Sequence, residues 1–193
     1  FKEKKIFNFG DVMLDIHKRY SFSMNKKSKL SDYYLVTIHR EENCEFKIIE
    51  NIINNLEQLA KHRKILFPAH PRVKQIVKKI TKSDKIIVTE PMNYINFGKA
   101  IYNSFAVITD SGGVQKESFF FKKNCFILRK ETEWPELIKK NYNVLINPQK
   151  KNFYRNIISV KLKKIDANYK PYGDGYASNR IIKSIYNNLL KKN

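Results

Sequence analysis

Cysteine is nearly absent from this 193-residue chain. Only Cys44 and Cys125 are present, so no disulfide framework can be drawn from it. No apolar run reaches the roughly 18 residues needed to cross a bilayer, and no signal-peptide core stands near the start. A soluble, reducing, cytoplasmic setting is the expectation. The few His and Cys residues lack ligand spacing, so no metal is expected. There is no nucleophile elbow, no P-loop, no internal repeat and no low-complexity segment. A starting Met is missing as well; the chain begins Phe1-Lys2-Glu3, which suggests a piece of a longer polypeptide.

Acidic residues are scarce. Eighteen Asp and Glu stand against 38 Lys and Arg, giving a net charge of +20. A charge of this size raises nucleic-acid binding as a reading. The lysines, however, are spread along the whole chain, and Asn, Ile and Lys are all abundant. A solvated lysine surface is the expectation. It would also steer an anionic small molecule.

What the chain does have is hydrophobic content, 42%, enough to bury the core of one ordinary domain. The pattern predicts a short strand over 5–9, a helix from Gly10-Asp11 through Tyr20, and a polar loop over 21–31. Strands and helices then alternate. Strands are predicted over 34–38, 65–67, 86–88, 106–109, 125–128 and 144–146. Helices are predicted over 46–62, 73–80, 94–103, 114–121, 135–140 and 152–158, with a closing helix over 177–192. Such alternation implies βαβ units and a Rossmann-like parallel sheet with helices on both faces.

In such sheets ligands bind beyond the carboxyl ends of the strands. Five successive strand ends here carry polar residues: His39 to Asn43, Pro68 to Arg72, Glu90-Pro91, Thr109 to Gly113, and Arg129 to Glu136. The fourth is the most informative. Ser111-Gly112-Gly113 joins an apolar strand to a helix, with Ser111 a plausible N-cap. Free N–H groups and the positive dipole end then face an anion such as a phosphate. Glu117, one turn on, could accept hydrogen bonds from a ribose. A tight turn with no ligand is the alternative reading of the same residues.

Taken together, the strand-end motifs resemble the UDP-N-acetylglucosamine 2-epimerase family. The matching pieces are 36–43 (VTIHREEN), 67–71 (FPAHP), 90–97 (EPMNYINF), 109–117 (TDSGGVQKE), 128–136 (LRKETEWPE) and 171–177 (PYGDGYA). They follow the family's order and spacing and span nearly the whole chain. The resemblance implies one lobe of a GT-B two-lobe architecture. Residues 1–22 would end the N-terminal lobe and form the connection, 23–176 would be the C-terminal UDP-binding lobe, and 177–193 would cross back to the other lobe. The family's Gly-x-Arg-Pro-Glu opening and the catalytic carboxylates of its N-terminal lobe have no counterpart here.

The implied reaction interconverts UDP-GlcNAc and UDP-ManNAc by elimination and re-addition of UDP, with no cofactor. On the family pattern Ser111, Gly112 and Gly113 hold the diphosphate and Glu117 takes the ribose hydroxyls. Phe97 stacks on uracil, although on residues alone ordinary helix-face packing is the favoured reading. Met92 marks where backbone groups read the base edge. Arg129 brings a cation to the phosphates and sugar, or forms an ion pair with Glu133 or Glu136. His39 sits near the diphosphate and sugar as the catalytic residue, or is a satisfied structural histidine. In bacterial members, residues corresponding to Arg40 and His70 help bind a second, regulatory UDP-sugar; His70 could instead line the cleft. His17 and His62 match nothing and are expected on the surface. The Thr132-Glu133-Trp134-Pro135-Glu136 run and the 10–15 opening are similar to the subgroup acting on 2,3-diacetamido-glucuronic acid substrates. A hydrolysing epimerase and a GT-B glycosyltransferase lobe are further alternatives. A homodimer through the N-terminal lobe is implied, with neither nucleic acid nor membrane as partner.

Overall fold

The computed structural model describes residues 6–190, and the side chains of 6–188. The chain divides into two compact units, one built from 1–22 and 166–193, the other from 23–165.

The larger unit carries a six-stranded sheet. The strands are β1 (Tyr34–Thr37), β2 (Ile65–Pro68), β3 (Ile86–Thr89), β4 (Ala106–Thr109), β5 (Cys125–Ile127) and β6 (Asn143–Leu145). Every pairing is parallel and the spatial order is β3-β2-β1-β4-β5-β6. This is the doubly wound Rossmann order, with its reversal between β1 and β4. The elements predicted in this region are all present, with ends shifted by a few residues.

Side chains alternate across the sheet and both faces are covered, which is why the strands read as unbroken apolar runs. On one face Val36, Ile38, Phe67, Ile108 and Phe126 meet α3 (Phe46–Ala60), α4 (Pro71–Ile80) and α8 (Tyr154–Ser159). On the other, Leu35, Leu66, Val107 and Ile127 meet α5 (Tyr94–Asn103), Val114 of α6 (Gly112–Phe120) and Ile138 of α7 (Pro135–Lys139). A short helix, α2 (Glu41–Cys44), was not expected. Its single turn lies within the motif after β1 and buries Asn43.

Three expectations need correction. The helix predicted to end at Tyr20 is α1 (Val12–Met24), which takes four residues from the supposed loop. Met24 is fully buried and belongs to the second apolar cluster, where packing outweighs the polar composition around it. Residues 6–9 carry no strand, and Ile6 and Phe7 are exposed with no described neighbour to complete a ladder; Lys5 lies outside the described residues. His17 is buried, not on the surface. It stands one turn beyond Met13 and Leu14 on the inward side of α1, so helical spacing decides its place. His62 is exposed as expected.

In the smaller unit, Asp174 lies between Gly173 and Gly175, both with positive φ (88° and 80°), and pairs with Arg180. Asp15 caps α9 (Ala177–Leu190) by accepting from the N–H groups of Ala177 (3.0 Å) and Ser178 (2.7 Å).

Candidate functional site

The point where strand order reverses is built from hydroxyls and one carboxylate. Thr37 ends β1 and Thr109 ends β4; they are register partners, and their Oγ1 atoms lie 2.7 Å apart. Thr109 Oγ1 also accepts from the N–H of Ser111 at 3.1 Å. Ser111 has extended backbone and caps α6, its Oγ accepting from the N–H of Val114 at 3.4 Å. Gly112 and Gly113 are the first two residues of that helix. The strand, Ser-Gly-Gly turn and helix N-terminus are therefore as expected.

Asp110, fully buried, ties the two strand ends together. Its carboxylate accepts from the N–H of His39 (3.0 Å), the N–H of Arg40 (3.0 Å) and Nδ2 of Asn43 (2.9 Å). Its carbonyl accepts from Arg40 Nε at 3.1 Å. Asn43 also donates to the carbonyl of Leu128 at 3.1 Å, which brings in β5. Sequence reasoning gave neither Asp110 nor Asn43 a role. Their signal was present, an acid directly before the Ser-Gly-Gly turn and an amide closing the motif after β1, but their pairing spans 67 residues.

Beside this seam lies a cavity of about 300 Å³. His39, His70, Met92, Phe97, Ser111 and Glu117 all line it, so six of the ten expected site residues converge. Thr37, Pro91, Tyr94 and Val114 also line it. The rings of His39 and His70 meet edge to face, 5.7 Å between centroids. His70 caps α4, its Nδ1 accepting from the N–H of Arg72, which leaves Nε2 clear of that bond. His39 is exposed by area, yet desolvation of its ring lowers its pKa from the ordinary value, reinforced by His70 and opposed by the Asp110 charge. Glu117 is partly buried, and desolvation pushes its pKa up to about 7, against the pull of Lys116.

Arg40 and Arg129 line a neighbouring cavity of about 340 Å³ instead. Arg129 is buried, and the ion pair weighed for it is present: Nη1 donates to both oxygens of Glu133 at 2.6 Å. Arg40 Nη2 reaches Glu133 Oε1 at 3.2 Å. Gly112 lies against the same carboxylate, since a Cβ there would be 3.1 Å from Glu133 Oε2. Eight of the ten residues thus line two neighbouring cavities, linked by the residue-39–40 peptide, and Gly112 and Gly113 open α6 beside them. Among the described residues no group of three His, Cys, Asp or Glu gathers as a metal would require.

A doubly wound parallel sheet, with a capped helix N-terminus and a cavity at its switch point, defines a Rossmann-like lobe of the GT-B type. The chain belongs to the UDP-N-acetylglucosamine 2-epimerase family, whose model matches residues 1–186. It is 33% identical to a UDP-N-acetylglucosamine 2-epimerase homolog of Methanococcus maripaludis, over 94% of this chain and 55% of that protein. It is 32% identical to the UDP-2,3-diacetamido-2,3-dideoxy-D-glucuronate 2-epimerase of Pseudomonas aeruginosa, over 93% of this chain and 52% of that protein. The structure of Methanocaldococcus jannaschii UDP-GlcNAc 2-epimerase in complex with UDP-GlcNAc and UDP superposes with a TM-score of 0.84 at 28% identity, covering 96% of this chain and 56% of that one. The S. aureus MnaA–UDP structure gives 0.80 at 30% identity, covering 94% and 52%. The chain spans about half the length of the curated relatives it matches. No described helix is long and apolar enough to cross a membrane.

Proposed function

We propose that this chain is the nucleotide-binding lobe of a UDP-sugar 2-epimerase acting on UDP-GlcNAc and UDP-ManNAc. The observation that carries this reading is the convergence of His39, His70, Met92, Phe97, Ser111 and Glu117 on one cavity at the switch point. The capped α6 N-terminus supplies N–H groups and a positive dipole end for the diphosphate, through Ser111, Gly112 and Gly113. Glu117, one turn into the same helix, is in reach of a ribose. Phe97 and Met92 form the apolar end of the cavity, suited to a uracil ring.

The reaction breaks the C1–O bond of the sugar as a base takes the C2 proton. The electron pair of the C–H bond forms the C1=C2 double bond of a glycal, and that of C1–O leaves with UDP. Re-addition of UDP with a proton delivered to the opposite face gives the C2 epimer. His39, whose neutral form desolvation favours and whose backbone Asp110 holds, faces the developing phosphate charge as a hydrogen-bond donor. Arg40, Arg129 and His70 supply further donors. The base itself belongs to the other lobe of the GT-B pair, in this reading. The same reading carries a homodimer through that lobe, residues 1–22 and 177–193 as the connection to it, no nucleic-acid partner and a cytoplasmic setting.

Calorimetry tests the site. UDP should bind this chain more tightly than UMP or GDP, and equal affinities would remove the nucleotide reading. Proton–deuterium exchange in heavy water tests the division of labour: this chain alone should not exchange the C2 proton of UDP-GlcNAc. A second substrate, UDP-2,3-diacetamido-glucuronic acid, is favoured by the similarity to the P. aeruginosa enzyme and by Trp134 in the motif after β5. Competition between the two UDP-sugars in the same calorimeter decides between them.

A further inference from the structure

The segment after β5 is strapped across the start of α6. Thr132 Oγ1 donates to Gln115 Oε1 at 2.6 Å, and Trp134 Nε1 donates to the carbonyl of Gly112 at 2.8 Å. The Lys116 ammonium lies 4.2 Å from the centroid of the Trp134 ring. Glu133 sits between these anchors, and its carboxylate is carried to the mouth of the helix, beside Gly112. There it receives Arg129 Nη1 on both oxygens and Arg40 Nη2 on one.

This is the surrounding a phosphate group would seek: two guanidinium groups, a helix N-terminus and a glycine that leaves room for close approach. The Arg129 side chain is only 7% accessible, so its charge needs an anion within reach whether or not a ligand is bound. The Glu133 side chain, by contrast, is 43% accessible and is free on one side to swing out.

We propose that Glu133 is a built-in counter-anion, which holds the Arg40–Arg129 clamp at the α6 N-terminus in the free protein and is displaced by the diphosphate of an incoming nucleotide. The inference rests on the nucleotide-site reading above. An anion entering while the carboxylate stays would bring like charges together beside one pair of cations. Exchange avoids this, since both arginines pass from one anion to another without being left bare. Glu133 is therefore a positioning residue that lowers affinity. It keeps the clamp assembled, and it competes with the ligand for it.

The test is calorimetry of UDP, inorganic pyrophosphate and uridine with the 193-residue chain and its Glu133→Gln variant, over a range of salt. The glutamine keeps the size and a hydrogen-bond acceptor but removes the charge. UDP and pyrophosphate should bind about tenfold tighter, corresponding to about 1.4 kcal/mol, while uridine is unchanged. The salt dependence of UDP binding should steepen, because one more uncompensated positive charge meets the ligand. A brace with no competing role would instead give UDP affinity that is unchanged or weaker, and that result overturns the proposal. Should Glu133→Gln fail to fold, Glu133→Asp decides, since it draws the charge one methylene back from Gly112. Tighter UDP binding by that variant supports exchange; equal or weaker binding overturns it. If UDP shows no preference over pyrophosphate, the nucleotide reading falls, while equal tightening of both anions by Glu133→Gln would still sustain the counter-anion.

Discussion

The carboxylate of Asp110 accepts hydrogen bonds from the backbone N–H groups of both His39 and Arg40, at 3.0 Å each. One buried side chain at the end of β4 thus fixes the backbone that carries two expected site residues after β1. Replacing Asp110 with Asn should be costly, because an NH2 group would take the place of one of the two oxygens that accept from these N–H groups and from Asn43. We expect a loss of about 2–4 kcal/mol, the usual range for stranding buried groups that bonded to a charge. Urea denaturation measures it, and a loss below about 1 kcal/mol would show that the loop reorganises around the amide.

On the proposed reading, Glu117 should give nucleotide binding a pH dependence. Its carboxyl is held up to about 7 by desolvation, so near neutral pH it is only partly ionised in the free protein. Accepting two ribose hydroxyls requires the carboxylate, and UDP affinity should rise as pH increases from about 6 to 8. Glu117→Gln should flatten that rise. The stability of the free protein follows the opposite sign. The folded-state pKa lies above the ordinary value of 4.5, so Glu117 contributes stability that is fully present below about 4.5 and lost as pH rises through about 7. Calorimetry at several pH values reads the first effect, and thermal unfolding without ligand reads the second.

Gly98 lies in the middle of α5, where alanine would ordinarily stabilise a helix by about 1 kcal/mol. A Cβ at this position would fall 2.0 Å from Met24 Sδ and 3.2 Å from the Phe121 ring. Met24 is fully buried, so its side chain can yield only by repacking the cluster around it. Overpacking should win, and Gly98→Ala should destabilise the protein by about 1–2 kcal/mol net. A rise in unfolding midpoint would mean that the Met24 side chain repacks freely.

Trp134 is the only tryptophan in the chain, and its ring N–H is bonded to the carbonyl of Gly112. Its fluorescence should therefore report on the α6 N-terminus directly. Titration with UDP should change its intensity or emission maximum in a saturable way, with the affinity that calorimetry gives. Trp134→Phe loses the hydrogen bond and should cost about 1 kcal/mol of stability. An invariant signal across the titration would place ligand binding away from this turn.

The sheet was legible because each strand is an apolar run bounded by polar strand ends, and burial on both faces writes that pattern directly into the sequence. The convergence of His39, His70, Phe97 and Glu117 was legible only through motifs taken together. What escaped was of two kinds. The extension of α1 to Met24 turns on one apolar residue finding a cluster far along the chain, which local composition does not record. Asp110, Asn43 and the reach of Arg40 to Glu133 depend on hydrogen bonds between residues 67 to 93 positions apart. Residue type marks such groups as polar, but only the fold says which partner they meet.

The order of the sheet also bears on how the protein assembles. Tyr34 pairs with Ile65, Ile65 with Ile86, Val107 with Cys125 and Cys125 with Asn143, all between neighbours in sequence. Only one ladder, Tyr34 with Ala106 through Thr37 with Thr109, must close a loop more than twice as long as any of these. Each half of the sheet can gather its strands cheaply, whereas joining the halves bears the largest loss of chain entropy. The seam between β1 and β4 is therefore the natural last step of folding. It is also where Asp110 and the cavity lie, so the cavity is completed in the same event that completes the sheet.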